Sequence, residues 1–438
     1  MRTILFRTSV VGMLAASAFY AQTASAPPRY TVTDLGLVGG PPAQPFVIKN
    51  NGLISEAVAV SDNVWHAMLW FRGRQIDLAK TSGLGGPSSG AFGVNEWGQA
   101  VGEAETSATD ANGEDFCGFG DQRVCLPFIW QNGLMKALPL LKDAHGLAGA
   151  NGAANAINVL GQVAGVAENT TADSTCPTYD PISLQYQKFQ FKPVLWDNGK
   201  IRELPTVGGD PDGIVFNIND RGQAVGGSGT CAAFQINGSL TYLYGVHAAL
   251  WQNGAVTDLG NLGGAGLGQQ NLALNLNNWG QVVGGSGTPD GLFHGFLWNR
   301  ATGIQDLGTV GNDIASVALA INDRGDISGI SFDANFNPRA YLRPAGGKMV
   351  DLNSLIPADS PLFLFDACSI NLLGEIIGIA VDGAGEFHGY LATPRTGFGD
   401  GWGVLDAAPS PLRFDHARQV LRQRLHLDTL GVRPNAAH

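Results

Sequence analysis

The chain has 438 residues, 26 Lys and Arg against 37 Asp and Glu, a formal charge of −11 and only 14% charged residues. An ordinary globular chain carries about 25% charged residues, and an acidic, charge-poor chain offers no electrostatic footprint for a nucleic acid. The 44% hydrophobic content supports a large core, while 61 glycines without a three-residue period exclude collagen and demand many turns.

Residues 1–26 read as a secretory signal. Arg2 and Arg7 form a short positive region, Val10 to Ala21 is an apolar run too short to span a bilayer, and Ala24-Ser25-Ala26 is a small-x-small cleavage site followed by Pro27. No other stretch approaches the ~18 apolar residues of a membrane helix. The expectation is a protein that is secreted or periplasmic, with no transmembrane segment in its mature form.

Residues 27–394 repeat. The block His247-Ala248-Ala249-Leu250-Trp251, Gln252-Asn253-Gly254, Val256-Thr257-Asp258-Leu259-Gly260, Asn277-Asn278-Trp279-Gly280 recurs in order as His294 to Trp298, Asp306-Leu307-Gly308 and Asn322-Asp323-Arg324-Gly325. The glycine closing the Asn-x-x-Gly turn falls at 52, 98, 161, 222, 280, 325 and 374. Each unit offers four short β-type runs. The first two strands of the motif as written, aromatic and Asp-Leu, are joined in several units by Asn-Gly, the strongest short hairpin signal because both turn residues take φ > 0. Asn-x-x-Gly joins the other two. Four antiparallel strands every ~40–50 residues are the signature of a β-propeller blade.

The phase of the repeats adds a prediction. The chain opens on an Asp-Leu strand, Tyr30 to Asp34, and its repeats stop on an aromatic strand, His388 to Leu391. If those two pair, the ring closes through one blade built from both chain ends, giving an all-β, seven-bladed propeller. A solenoid is the rival, but neither end reads as a polar cap.

The repeats resemble the HAF family of bacterial extracellular repeat proteins, named for a His-Ala-Phe segment. The matching residues are His66-Ala67-Met68, His247-Ala248-Ala249, His294-Gly295-Phe296 and His388-Gly389-Tyr390, together with the Asp-Leu-Gly and Ile-Asn-x-x-Gly segments. The resemblance implies an exported β-rich repeat protein and transfers no catalytic residue. Two units depart from it, with Pro127 and Pro193 in place of Ala and no His.

Candidate sites follow from what the scaffold does not explain. In the Asn253-Gly254 hairpin, Ala249 opposes Asp258, so His247 lies on the same face within reach of Asp258; a His-to-Asp hydrogen bond in each blade accounts for the recurring histidines without chemistry. Trp70, Trp130, Trp196, Trp251 and Trp298 share one repeat position, expected to pack between blades, whereas Trp97 and Trp279 sit inside Asn-x-x-Gly turns and are candidates for exposure. Insertions at Ala104 to Val124, Ala167 to Phe191 and Gly229 to Val246 share one topological position, so they emerge from one face on three adjacent blades. Their aromatics Phe116, Phe119, Tyr179, Tyr186, Phe234 and Tyr242 are candidates for ligand contact or for packing the insertions down.

Five cysteines in an exported chain suggest Cys117 with Cys125 and Cys176 with Cys231, leaving Cys368 as a buried thiol. Asp110, Asn112, Glu114 and Asp121 only partly match a calcium loop, since Asp115 stands where Gly is required, so neither metal nor cofactor is expected. Beyond Pro394, Ser410-Pro411 starts a helical pattern through Phe414, Ala417, Val420, Leu421 and Leu425, flanked by Arg413, Arg418, Arg422 and Arg424, predicting a linker and amphipathic helix over 395–438. The functional expectation is a non-enzymatic binding module for an extracellular glycan or envelope protein. The alternatives are a structural envelope component and a glycan-processing enzyme using Asp115, Glu168, Asp180 or Asp212.

Overall fold

A computed structural model describes residues 30–37, 44–61, 64–80, 82–176, 187–230, 234–236, 239–241, 246–264 and 270–395. The signal segment expected over 1–26 and the helix expected within 395–438 lie outside the described residues, except for Arg395.

The described chain forms seven antiparallel blades of a β-propeller, plus one small hairpin, Phe234–Ile236 with Ser239–Thr241. Blade 4 shows the pattern: Asp212–Ile218, Ala224–Gly229, His247–Gln252 and Ala255–Asp258, each paired with the next. The register is the one the hairpin dictates, Ala249 opposite Asp258 and Gln252 opposite Ala255. Asn253 and Gly254 take φ of 52° and 79°, as an Asn-Gly hairpin turn requires.

The first strands of the blades are innermost. Gln44–Ile48, Gly85–Val94, Gly152–Ile157, Asp212–Ile218, Asn271–Leu276, Ala315–Ile321 and the pair Phe363–Leu364 and Ser369–Ile370 each touch their counterparts on both neighbouring blades, closing a circle around the axis. Six of these strands carry a bulge three residues before the turn position, between Ala91 and Gly93 and between Val215 and Asn217 for example. A bulge re-aims the extra residue. Those extra residues include Phe46, Phe92 and Phe216, and the rings of Phe46 and Phe92 on adjacent blades meet edge-on at 5.0 Å.

A belt of carboxamides ties blade to blade. Asn95, Asn158, Asn219, Asn277 and Asn322 each donate an Nδ2–H to the backbone carbonyl of the next equivalent residue at 3.0–3.1 Å. Asn371 closes the circle on the Lys49 carbonyl, also at 3.1 Å. Blade 1 carries Lys49 at the position of these asparagines, and there Asn51 Nδ2 reaches the Glu96 carbonyl instead at 3.0 Å.

Ring closure follows the predicted phase. Tyr30–Leu37 pairs with Phe387–Pro394, from Tyr30 opposite Pro394 to Leu37 opposite His388, and becomes the outer strand of blade 7. The two ends of the described chain therefore leave the ring together, on the face that carries the Asn-x-x-Gly turns.

Both faces of each blade are buried, which explains the lack of polar–apolar alternation in Ala248-Ala249-Leu250. Trp196 and Trp251 are fully buried between blades, and each indole N–H donates to a carbonyl of the preceding inter-blade connection, Pro139 and Pro205 respectively, at 2.7 Å.

Candidate functional site

Strand polarity divides the ring into two faces. On the turn face lie the Asn-x-x-Gly turns and the hairpins joining the third and fourth strands; on the insertion face lie the connections between second and third strands, and those between blades.

The recurring histidines are on the insertion face and are spoken for. Nδ1 of His66, His247, His294 and His388 contacts Asp77, Asp258, Asp306 and Asp34 at 2.8, 2.9, 2.9 and 3.0 Å. In blade 6, Arg339 takes the place of His and pairs with Asp351 at 3.3 Å and Asp313 at 3.1 Å. The carboxylates also accept backbone N–H groups, Gly260 on Asp258 and Gly308 on Asp306, so each clamps the end of its own hairpin. The pairs stand on separate blades and converge on no common point.

The described parts of the first two insertions are anchored to the blades. In the first of them Cys117 and Cys125 form the expected disulfide. Phe119 is buried and stacks on Trp65 at 5.5 Å, and Phe116 packs beside it, so these two aromatics fasten the insertion to the blades. Cys176 is also disulfide-bonded. Its expected partner Cys231 lies outside the described residues, as do Tyr179, Tyr186, Tyr242 and Asp180; Phe234 lies in the small hairpin, with its side chain undescribed. Among the described residues Cys368 is the free thiol, half-buried, its S–H donating to Asp366 Oδ1 at 3.1 Å.

Beneath the insertions sits a group of buried acids. Asn151 Nδ2 donates to Asp110 Oδ2 and Glu168 Oε2, each at 3.1 Å, and Gln187 Nε2 donates to Glu168 Oε1 at 2.7 Å. The Lys188 N–H donates to Glu114 at 2.5 Å, joining the second insertion to the first. Burial, reinforced by Glu114, pushes Glu168 up to about 8; burial also raises Glu114. Two carboxyl pairs flank this group. Burial and contact with Asp173 raise Asp212 to about 8, and burial and contact with Asp121 raise Glu105 to about 8. Asp212 Oδ1 accepts the Phe191 N–H and Glu105 Oε2 the Ser88 N–H, each at 3.0 Å, and a bond from either acid across to its insertion neighbour requires a protonated carboxyl.

The residues of the partial calcium loop are used in this way. Asp110 Oδ1 accepts the N–H groups of Asn112 and Glu114, folding the segment on itself. Among the described residues one group approaches metal-site geometry, Glu103 with Cys117 and Cys125, but both sulfurs are committed to the disulfide.

Trp97 and Trp279 stand on the opposite, turn face and are 73% and 65% exposed. Each indole N–H donates to a carbonyl of the next blade's turn, Val159 and Asp323, and the Arg221 guanidinium lies over Trp279 at 5.2 Å. The eight aromatics singled out in the sequence therefore do not share one surface. A groove of about 550 Å³ opens at the turn-face hairpin of blade 3, lined by Gln162, Leu195, Asp197, Lys200 and Arg202. Sequence reasoning missed the carboxamide belt and the Asn151–Glu168 group; the recurring Asn was the one signal for the former.

No family model and no curated protein sequence matches the chain. Among solved structures it is similar to a protein of unknown function from Dyadobacter fermentans, at 11% identity and TM-score 0.36 over 83% of this chain and 99% of that one. It is also similar to a puromycin hydrolase, at 12% and 0.42 over 83% and 55%, and to the BP39L lectin from Burkholderia pseudomallei, at 11% and 0.37 over 84% and 98%.

Proposed function

We propose that the chain is an exported, HAF-like repeat propeller acting as a non-enzymatic binding module, with its ligand on the insertion face and extracellular polysaccharide as the ligand class. The observation that carries this reading is the common anchoring of adjacent insertions on one face, by a disulfide and by buried acids that also link the insertions to one another. Rigid loops on a rigid ring are a means of recognition.

The same acids argue against hydrolysis. Glu168 and Asp212 are wholly buried, and their oxygens are engaged with Asn151, Gln187, Phe191 and Asp173 rather than turned towards a cleft. A glycosidase needs two carboxyls flanking an accessible sugar. The exposed acids Asp34, Asp258 and Asp306 give this face negative charge, which suits neutral or amine-bearing glycans and disfavours polyuronates.

The test is a melting-temperature panel of neutral, amino-sugar and uronate polysaccharides, since a ligand that binds only the folded state raises apparent stability. A saturable shift with a neutral or amino-sugar polymer, lost in the Asp258→Ala/Asp306→Ala double variant, supports the reading. A flat response across the panel overturns the glycan assignment in favour of a protein partner.

A further inference from the structure

The turn face differs in chemistry from the rest of the molecule. Its outer hairpins display exposed Arg72, Arg74, Lys200, Arg300 and Lys348, with Arg395 at the end of the described chain, against one carboxylate, Asp197. The cationic excess is confined to this rim, because the central turns carry Glu96, Asp220, Asp323, Asp326 and Glu375 against Lys49, Arg221 and Arg324. On a chain with a formal charge of −11, this leaves one cationic rim.

The same face carries most of the large apolar side chains that the fold leaves in solvent. Trp97, Leu160, Trp279, Leu372 and Leu373 project from the central turns and Leu134 from a hairpin, at exposures between 38% and 73%. The indole N–H groups of Trp97 and Trp279 tie turn to turn, yet both rings and the leucines stay wet, and burying such a side chain is favourable wherever an apolar phase is offered.

Topology supplies the third observation. Tyr30 and Pro394 pair at the turn-face end of blade 7, so both ends of the described chain lie on this face. The following segment carries Arg413, Arg418, Arg422 and Arg424 among Phe414, Leu421 and Leu425, a basic amphipathic pattern suited to a bilayer interface.

We infer that the turn face docks on an anionic phospholipid surface, the cationic rim facing headgroup phosphates and the turn tips, Trp97, Leu160, Trp279 and Leu373, inserting at the headgroup boundary. Tryptophan favours that boundary because its ring is apolar and its N–H polar, and each surface-proximal Lys or Arg adds attraction that salt screens. This orientation leaves the insertion face pointing away from the membrane.

The experiment uses the full chain with vesicles of phosphatidylglycerol and phosphatidylethanolamine, and with phosphatidylcholine vesicles for comparison. Expected results are sedimentation with the anionic vesicles alone, at least a tenfold loss of partitioning in 0.5 M NaCl, and quenching of indole fluorescence by brominated phosphatidylglycerol that the Trp97→Phe/Trp279→Phe variant abolishes. The Arg72→Glu/Lys200→Glu/Lys348→Glu variant should lose at least tenfold in partitioning while its melting temperature stays within about 2 °C of the parent. Failure of the parent chain to sediment overturns the proposal. So does unchanged partitioning of the charge-reversal variant, which would leave binding to the C-terminal segment alone, and so does equal affinity for duplex DNA with no indole quenching, which would mark a general polyanion surface.

Discussion

Removing one member of the carboxamide belt should cost far more than removing the exposed residue beside it. Asn219 Oδ1 accepts the N–H groups of Arg221 and Gln223, both at 3.0 Å, while its Nδ2 donates to the Asn277 carbonyl at 3.0 Å and to Gln223 Oε1 at 2.8 Å. Asn219→Ala leaves three backbone groups without that partner at a buried site, about 1 kcal/mol each, so about 3 kcal/mol in all. With an unfolding entropy of about 2.1 cal/mol/K per residue over roughly 360 residues, that is a fall of about 4 °C in Tm. Asn219→Asp separates the two roles. It keeps the acceptor within the turn but sets a carboxylate oxygen against the Asn277 carbonyl, so it should be at least as damaging at pH 7 and should recover in part near pH 4, where a protonated carboxyl can donate. Arg221→Ala, in the same turn but exposed and resting on Trp279, is the control at under about 0.5 kcal/mol. Denaturant unfolding at both pH values measures all three. An Asn219→Ala loss no larger than that of Arg221→Ala, or an Asp variant as stable as the parent at pH 7, would refute the belt as a stabilising device.

Other perturbations reach different parts of the ring. Because Glu105, Glu168 and Asp212 have folded pKa values raised to about 8 from 4.5, 4.5 and 3.8, the folded state holds more protons than the unfolded between those limits; their contribution to stability is full below about pH 4 and declines towards pH 8. The guanidinium chloride midpoint should fall between pH 5 and pH 8.5, less steeply in Glu168→Gln, and a flat or rising profile would count against the buried-acid account. Glu56, buried with Oε1 unpartnered and raised to about 7 by burial, should yield a Glu56→Gln variant more stable than the parent by about 1 kcal/mol at pH 8.5 and no more stable at pH 5. Joint replacement of Cys117 and Cys125 by Ser should weaken anchoring of the first insertion by about 2 kcal/mol, read as protease cleavage between residues 104 and 124 while the blades stay intact. Deleting residues 30–37 removes the outer strand of blade 7 and exposes the edge of Phe387–Pro394, so loss of cooperative unfolding and aggregation are expected by scanning calorimetry and light scattering.

The repeat was legible because each of its signals is local. Asn253-Gly254 forces a hairpin through its own backbone preferences, Asn-x-x-Gly forces the second turn, and once those turns are placed the register of Ala249 opposite Asp258, and with it the His247–Asp258 contact, follows by counting. Ring closure through Tyr30 and Pro394 was legible for a similar reason, since the phase of the repeats at the two ends leaves one blade that only they can complete.

What the sequence could not decide depends on residues far apart in the chain. The turn asparagines read as local caps, yet each also bonds the next blade, 45 to 63 residues further along for five of them and 322 residues back for Asn371, and only the closed ring sets that spacing in three dimensions. Phe119 read equally as a ligand contact or as packing until Trp65, from another blade, was placed against it. Glu168 and Asp212 read as possible acid and base, but burial and the donors Asn151, Gln187 and Phe191, both consequences of how the insertions fold onto the blades, make them fasteners. Sequence alone thus determined the strands, turns and blade count, because backbone preference acts over a few residues; the tertiary structure decided the innermost strand, the roles of the acids and the opposed chemistry of the two faces, because burial and charge fields are properties of the assembled ring.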